Sequence, residues 1–372
     1  MSQKVAKRER WDMSRPETKR MIDEIVHGSF VKEGTMVAFP TCFPGASTPI
    51  PADESHITAL ESTKEGVIYG GTSGRTVHIF VAMFHGVTGV VFDLGWLDGY
   101  EECRRVFCTE SDVIAFVRGS RGWAFARCPL QPLPFDLIQE WGFTRPQIAL
   151  SPLRLPAEPI DASIQGDTAL VSTANSLLTV DPKTGKIAYG HDLKCVGKMA
   201  REPGGGTIGV GGDYLWRFRD GELDAQWTRL PNGSWSSGAV QWSTIPGTQE
   251  MYLADDEGGI FVLRADEPSA RLVARTPLTP VGPMAATFDG RLFGFCGEGI
   301  SRLFCYDPGD GQLRDLGVAV SVLERRRYGY QFGAATCGRD GELVFGEDDD
   351  LGHLWLYFPR IKKIHVGSPE DC

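Results

Sequence analysis

The feature that most constrains this chain is a meander of short alternating runs that recurs along its length. It is plainest at SHITALES, GVIYGGTSGRTVHIFVAMF and GVVFDLGW, residues 55–62, 66–84 and 89–96. The runs have strand length, are rich in Val, Ile, Phe and Thr, and are bounded by Gly, Ser or Thr. Each reads as a β-strand, and HITAL, GVIYGG, TVHIFVAMF and GVVFDLG make one four-stranded antiparallel meander.

Six further units repeat it. The second starts near Val106 and carries the Pro-rich insertion PLQPLPFDLIQEWGFTRPQIALSP. The others begin at PIDASIQ, CVGKMARE, SGAVQW, GPMAATFD and YQFGAAT, the last running to IKKIHV. Over residues 55–367 this gives about 45 residues per unit, the period of a four-stranded propeller blade. Turn signals recur at matching places. Asp181–Gly185, Arg219-Asp220-Gly221 and Asp307–Gly311 fall between third and fourth strands, and Asp289-Gly290 and Asp340-Gly341 between first and second. A sandwich rarely repeats one meander seven times, and helix-period stretches are nearly absent after residue 55. The fold expected is therefore all-β: a seven-bladed β-propeller of four-stranded antiparallel blades over residues 55–372. Residues 1–54 are expected outside the ring as an N-terminal extension, with a short amphipathic helix after Ser14 and a Pro-rich loop over 41–54.

Composition narrows the partners. The net charge is −10, which argues against a nucleic-acid partner and means that any anionic ligand needs a local basic patch. No run has the length of a membrane helix, and the charged N-terminus lacks an apolar signal core, so no membrane partner is expected. The nine cysteines show no CxxC or metal-finger spacing and read as buried reduced thiols of a cytoplasmic protein. No cofactor is expected. A structural cation is not indicated, because the acidic run at 347–350 lacks the alternation of a calcium loop.

In such blades the loop leading into the first strand and the loop joining the second and third strands share one face. Polar residues there converge around the channel. On that face the sequence places His56, Arg104, Arg105, Arg201, Trp235 and the run from Glu324 through Arg327, Tyr328 and Tyr330 to Gln331. It adds Arg75, His78, Arg118, Arg121, Trp123, and Asp348 to Asp350 with His353. The opposite face, with its DPKTG-type turns, reads as structural. Planar arginines bind carboxylates bidentately, aromatic rings stack on sugars, and His and Tyr move protons. His56 and His78 open the first and third strands of one blade with Arg75 between them. Each also has a plain reading: a satisfied strand-end histidine, a solvated arginine loop, a tyrosine packed on the next blade. His27, His85, His191 and His365 lie off the face and read as structural.

With these residues the repeat region resembles the seven-bladed polysaccharide lyases of the ulvan-lyase and rhamnosyl-glucuronate-lyase type. The likeness is carried by His56, by IYGGTSGRTVHIF with His78, and by the closing YGYQFGAATCGRDGELVFGEDDDLGHLWLYFP. It implies β-elimination at a uronate, with arginine neutralising the carboxylate and His or Tyr moving the protons. The catalytic set would be His56, His78 and Tyr330, and the substrate-binding set Arg75, Trp123, Arg201, Trp235, Arg327, Tyr328 and Gln331. The family's catalytic tyrosine corresponds to Trp123, which carries no titratable proton. Tyr330 or Tyr100 would have to replace it, and the arginine expected after it has no clear counterpart in Arg127 or Arg145. Two functions stay open: a lyase acting on a small anionic saccharide or glycoside, and a non-catalytic propeller that binds a saccharide or a protein partner. A metal-dependent hydrolase is disfavoured because no three-ligand cluster is evident.

Overall fold

The computed structural model describes residues 14–27, 33–41, 48–131, 144–231, 233, 235, 240–264, 269–323 and 328–361. Its described residues hold one helix, α1 (Pro16–His27), and twenty-eight strands, numbered β1–β28 along the chain. The strands form seven four-stranded antiparallel sheets. The innermost strands are β2 (His56–Ser62), β6 (Tyr100–Cys108), β10 (Pro159–Gln165), β14 (Val196–Arg201), β18 (Gln241–Thr244), β22 (Val281–Ala286) and β26 (Phe332–Cys337). Each touches the next, and β26 touches β2, so the ring is closed. This is the seven-bladed propeller expected from sequence.

Blade boundaries shift slightly. The second blade starts at Tyr100 rather than near Val106, and the first ends at Leu97. The larger correction concerns the N-terminus. Gly34–Pro40, expected outside the ring, is β1, the outer strand of the seventh sheet, paired from Gly34↔Pro359 to Pro40↔His353 on β28 (His353–Pro359). The run GTMVAFP alternates and buries Met36 completely, so it supplies the outer strand assigned by sequence to IKKIHV. β1 covers the outer edge of β28 and so ties a segment that precedes the first blade to the seventh. Residues 362–372 lie outside the described set. Helix α1 rests Ile25 on Val318 and Val320 of the sixth blade, with Glu24 ion-paired to Arg302.

A glycine–aromatic pairing repeats inside the sheets. Gly70 faces Phe80, Gly209 faces Trp216 and Gly294 faces Phe304 across second and third strands. A Cβ on Gly209 would sit 2.2 Å from the Trp216 ring. The missing side chain lets each aromatic lie flat against the neighbouring backbone, which fills the space between blades.

Candidate functional site

The first-blade histidines stand at one end of the ring, as the strand order requires. His56 is the first residue of β2, and His78 the second of β4 (Val77–His85). They occupy separate clusters. His56 reaches into the connection after β27 (Leu343–Glu347), with Nδ1 2.9 Å from Asp348 Oδ1 and Nε2 3.0 Å from Asp350 Oδ1. The hydrogen bond to Asp348 leads, with Asp350 helping against burial, in pushing its pKa up to about 9. The acidic run is thus a histidine clamp. His78 is 4% exposed. Its Nε2 lies 2.7 Å from Glu54 Oε2, and its Nδ1 3.2 Å from Asp93 Oδ1, close enough for an ion pair but poorly aligned for a hydrogen bond. Burial opposes charge on this ring, yet Asp93 and Glu54 outweigh it and the pKa is raised. Burial likewise opposes charge on Glu54, and bonds from His78, Arg75 and Thr76 still hold its pKa below the usual value. Near neutral pH the His56 imidazole is therefore charged, and each of the two rings faces two carboxylates.

A cavity of about 430 Å³ lies beside His78, lined also by Glu54, Arg75, Asp93, Trp96 and Arg145. His56 and Tyr330 are not among its lining residues, so the single pocket expected for His56, Arg75, His78 and Tyr330 divides. Arg75 is exposed, with Nε 2.7 Å from Glu54 and 3.4 Å from Asp53. Sequence missed Trp96 here and set Arg145 aside. Arg145 binds Asp93 at 3.1 Å and stacks 5.1 Å over Trp96, a contact made across the Pro-rich insertion that carries no local signal.

The other expected residues scatter. The half-buried Tyr330 accepts from Ser301 N through its backbone carbonyl, and its own N–H donates to Glu347. Tyr328 bridges to Val320 against the α1 cluster, and Gln331 is exposed. Arg327 lies outside the described residues. Trp123 is 6% exposed: Phe116 stacks on it at 4.6 Å, Arg104 lies 4.9 Å from the ring, and Nε1 donates to Glu158. Its ring is not available as a sugar platform. Like His78, Trp123 is the second residue of a third strand, a position whose side chain turns into the sheet packing. Trp235 is also 6% exposed and packs on Phe261. Tyr100 is buried, which raises its pKa and removes it as a stand-in tyrosine.

The large cavity is elsewhere. About 1900 Å³ of space fills the channel and opens on the face opposite to the one expected. All seven connections between first and second strands contribute to its lining, from Thr63–Val67 in the first blade to Gly338 and Arg339 in the seventh. At the expected end, His56, Asp348 and Asp350 form a closed ion cluster outside this lining. Three of the arginines placed on the rim by sequence, Arg104, Arg105 and Arg201, belong to the channel wall instead. Arg104 binds Glu102 at 2.6 Å. Arg105 forks onto Asp161 at 2.8 and 2.7 Å and donates to Met199 O. Arg201, the last residue of β14, pairs with Glu61 of the first blade, a strut between two blades that are not neighbours.

Lys198, missed by sequence reasoning, differs from all of these. Its Nζ donates to Gln241 Oε1 at 3.3 Å, and among the described residues no carboxylate lies within 4 Å of it. Burial, then the charges of Arg105 and Arg104, bring its pKa down to about 8, with Asp161 and Asp348 opposing. Its signal was present in the alternation of VGKMAR, which puts a lysine on the channel side of an innermost strand. Among the described residues no group of three or more His, Cys, Asp or Glu is arranged to hold a metal ion.

No protein-family model and no curated protein matches this chain. Among solved structures, it is similar to the extracellular domain of a hybrid two-component system from B. thetaiotaomicron, with TM-score 0.57 and 12% identity. That likeness covers 88% of this chain and 40% of the other. The chain thus spans less than half of that structure's length. It is also similar to the WD40 β-propeller domain of Doa1, with TM-score 0.56 and 9% identity over 87% of this chain and 96% of that one. The RRP9 WD40 repeats give TM-score 0.53 and 11% identity over 88% and 99%. These likenesses establish the propeller fold.

Proposed function

We propose that this propeller is a non-catalytic binding module that takes a small anionic saccharide or glycoside into its channel. The observation that carries the reading is Lys198, a cation on the wall of a water-accessible cavity whose described hydrogen-bond partner is a neutral amide. An anion arriving there gives Lys198 the opposite charge it lacks, and Arg201 can exchange Glu61 for a ligand carboxylate. Charge-assisted contacts of this kind are worth about 1.5–3 kcal/mol each. A cavity of about 1900 Å³ exceeds the roughly 300–1,000 Å³ of an ordinary small-molecule site and suits several sugar units. Its Thr58, Ser163, Gln241 and Ser243 supply hydroxyl and amide partners.

Elimination chemistry has less support. A general base must be free to accept a proton, and both ring nitrogens of His56 and of His78 already face carboxylates. The described cysteines form no disulfide with one another, which favours a reducing compartment such as the cytoplasm.

Calorimetric titration with methyl glucuronide, against neutral methyl glucoside, tests the binding role. The expected result is binding of the anion alone, lost in Lys198→Met. Equal binding of both sugars, or none of either, overturns it. Growth of the ultraviolet band of an unsaturated uronate on incubation with uronate oligosaccharides would restore the lyase.

A further inference from the structure

Every buried or wall cation discussed above except one has a carboxylate partner. Arg104 is matched by Glu102, Arg105 by Asp161 and Arg201 by Glu61. Lys198 stands among them with a single neutral hydrogen bond. Arg105 is held close by its donation to the carbonyl of Met199, the next residue along β14. The amine thus sits in a shielded cavity beside fixed positive charge, the setting that turns a lysine into a nucleophile.

From this geometry we infer that Lys198 is a carbonyl-reactive amine that captures anionic aldehydes or ketones, such as the open-chain form of a sugar acid, as an imine. The inference rests on the channel reading above and deepens it. The Nζ lone pair attacks the carbonyl carbon while the C–O π pair moves to oxygen. One proton passes from nitrogen to that oxygen, giving a carbinolamine, and the second N–H proton moves to the hydroxyl as it departs. Water then leaves as the C=N bond forms, so one water is released and no redox partner is consumed. Gln241 Oε1, as acceptor, orients Nζ. Arg201 and Arg105 favour a carboxylate on the incoming molecule.

The charged groups around Nζ come from three blades. Arg104 and Arg105 on β6 favour the free amine, while Asp161 on β10 and Asp348 after β27 favour the ammonium. The first pair and burial prevail, and the pKa falls to about 8. Near pH 7 the free amine is then populated on the order of 10² times more than at an exposed lysine of pKa about 10.4. Nucleophilicity falls more slowly than basicity, as thiols show with a Brønsted slope of about 0.4–0.5.

The test uses the full chain with glyoxylate, the simplest anionic aldehyde, and cyanoborohydride to fix any imine as a carboxymethyl-lysine. Peptide mass spectrometry then compares Lys198 with Lys64 and Lys186. The expected result is labelling of Lys198 about tenfold faster than of either exposed lysine, given the amine populations and slopes above. Excess methyl glucuronide, which has no free carbonyl, should suppress it. This competition needs no variant and so is independent of folding defects. Labelling of Lys198 no faster than of Lys64 overturns the inference. If methyl glucuronide still binds in that case, the amine chemistry fails and the channel reading stands. If it does not bind, both fail. Fast labelling that methyl glucuronide leaves unchanged keeps the reactive amine and removes the shared site.

Discussion

The first-blade rim and the channel wall both gather charge, and they use it differently. At the rim His56 and His78 each face two carboxylates, and Arg75 and Arg145 join the His78 cluster. In the channel Lys198 is left with a neutral partner. A network whose members are matched holds elements together: His78 ties the Ala52–Glu54 turn to Asp93 on β5 (Thr88–Leu97). A charge held without its opposite costs stability and is available to a ligand. Residue type did not separate the two regions, because histidines are commoner catalysts than lysines. Satisfaction of charge does.

The comparison breaks first, and most visibly, at His78. Replacing it with Leu leaves Glu54 and Asp93 buried with arginine as their remaining charged partner, and losing one partner of a buried ion pair costs about 3–5 kcal/mol. Urea unfolding should show a loss near the lower figure, with methyl glucuronide binding intact wherever the protein is folded. Binding lost with stability kept would return His78 to the ligand site.

Lys198→Met should do the reverse. Its folded pKa is depressed, so around neutral pH the unfolded chain holds this proton more readily than the folded one. The penalty is present below about 8 and is relieved as pH rises towards the unfolded value, so wild-type stability gains between about 8 and 10.4 from this group. Removing the charge should stabilise the protein at pH 7 by about 1–2 kcal/mol, of the size seen for other functional-site relaxations. A destabilised Lys198→Met would place this lysine with the satisfied charges.

His56 sharpens the contrast on a smaller scale. Its folded pKa is raised, so its stabilisation is full below about 6.5 and is lost as pH rises through about 9. The ring and its partners are partly exposed, so about 1 kcal/mol is expected after solvent screening. Melting curves of wild type and His56→Gln should differ at pH 6 and converge by pH 10. The smallest effect concerns Glu61, the internal competitor for Arg201. Glu61→Gln should tighten methyl glucuronide by about threefold, or about 0.6 kcal/mol; weaker binding would mean that the strut is needed to shape the site.

The ring was legible because seven meanders with matching Asp-Gly turns leave few other ways to bury their apolar faces. The closing strand was not: GTMVAFP is one short run far from its partner, and only the ring's need for a last strand explains it. Site residues were read from strand ends, which fixes the end of the ring but not what each side chain meets. Thus His56 and His78 came out on the same end, while the carboxylates that occupy them come from the seventh blade, a preceding turn and a fourth strand. The channel opens where the first-to-second connections lie, a matter of how seven loops splay that no single blade encodes.

The most direct test of the central claim is the pH dependence of methyl glucuronide affinity, in wild type and in Lys198→Arg, which keeps its charge at every pH used. The account predicts a steady wild-type affinity up to about pH 7, falling through about 8 as Lys198 loses its proton, and no such fall in the arginine variant. Affinity unchanged through pH 8 in wild type, or the same fall in both proteins, would contradict it.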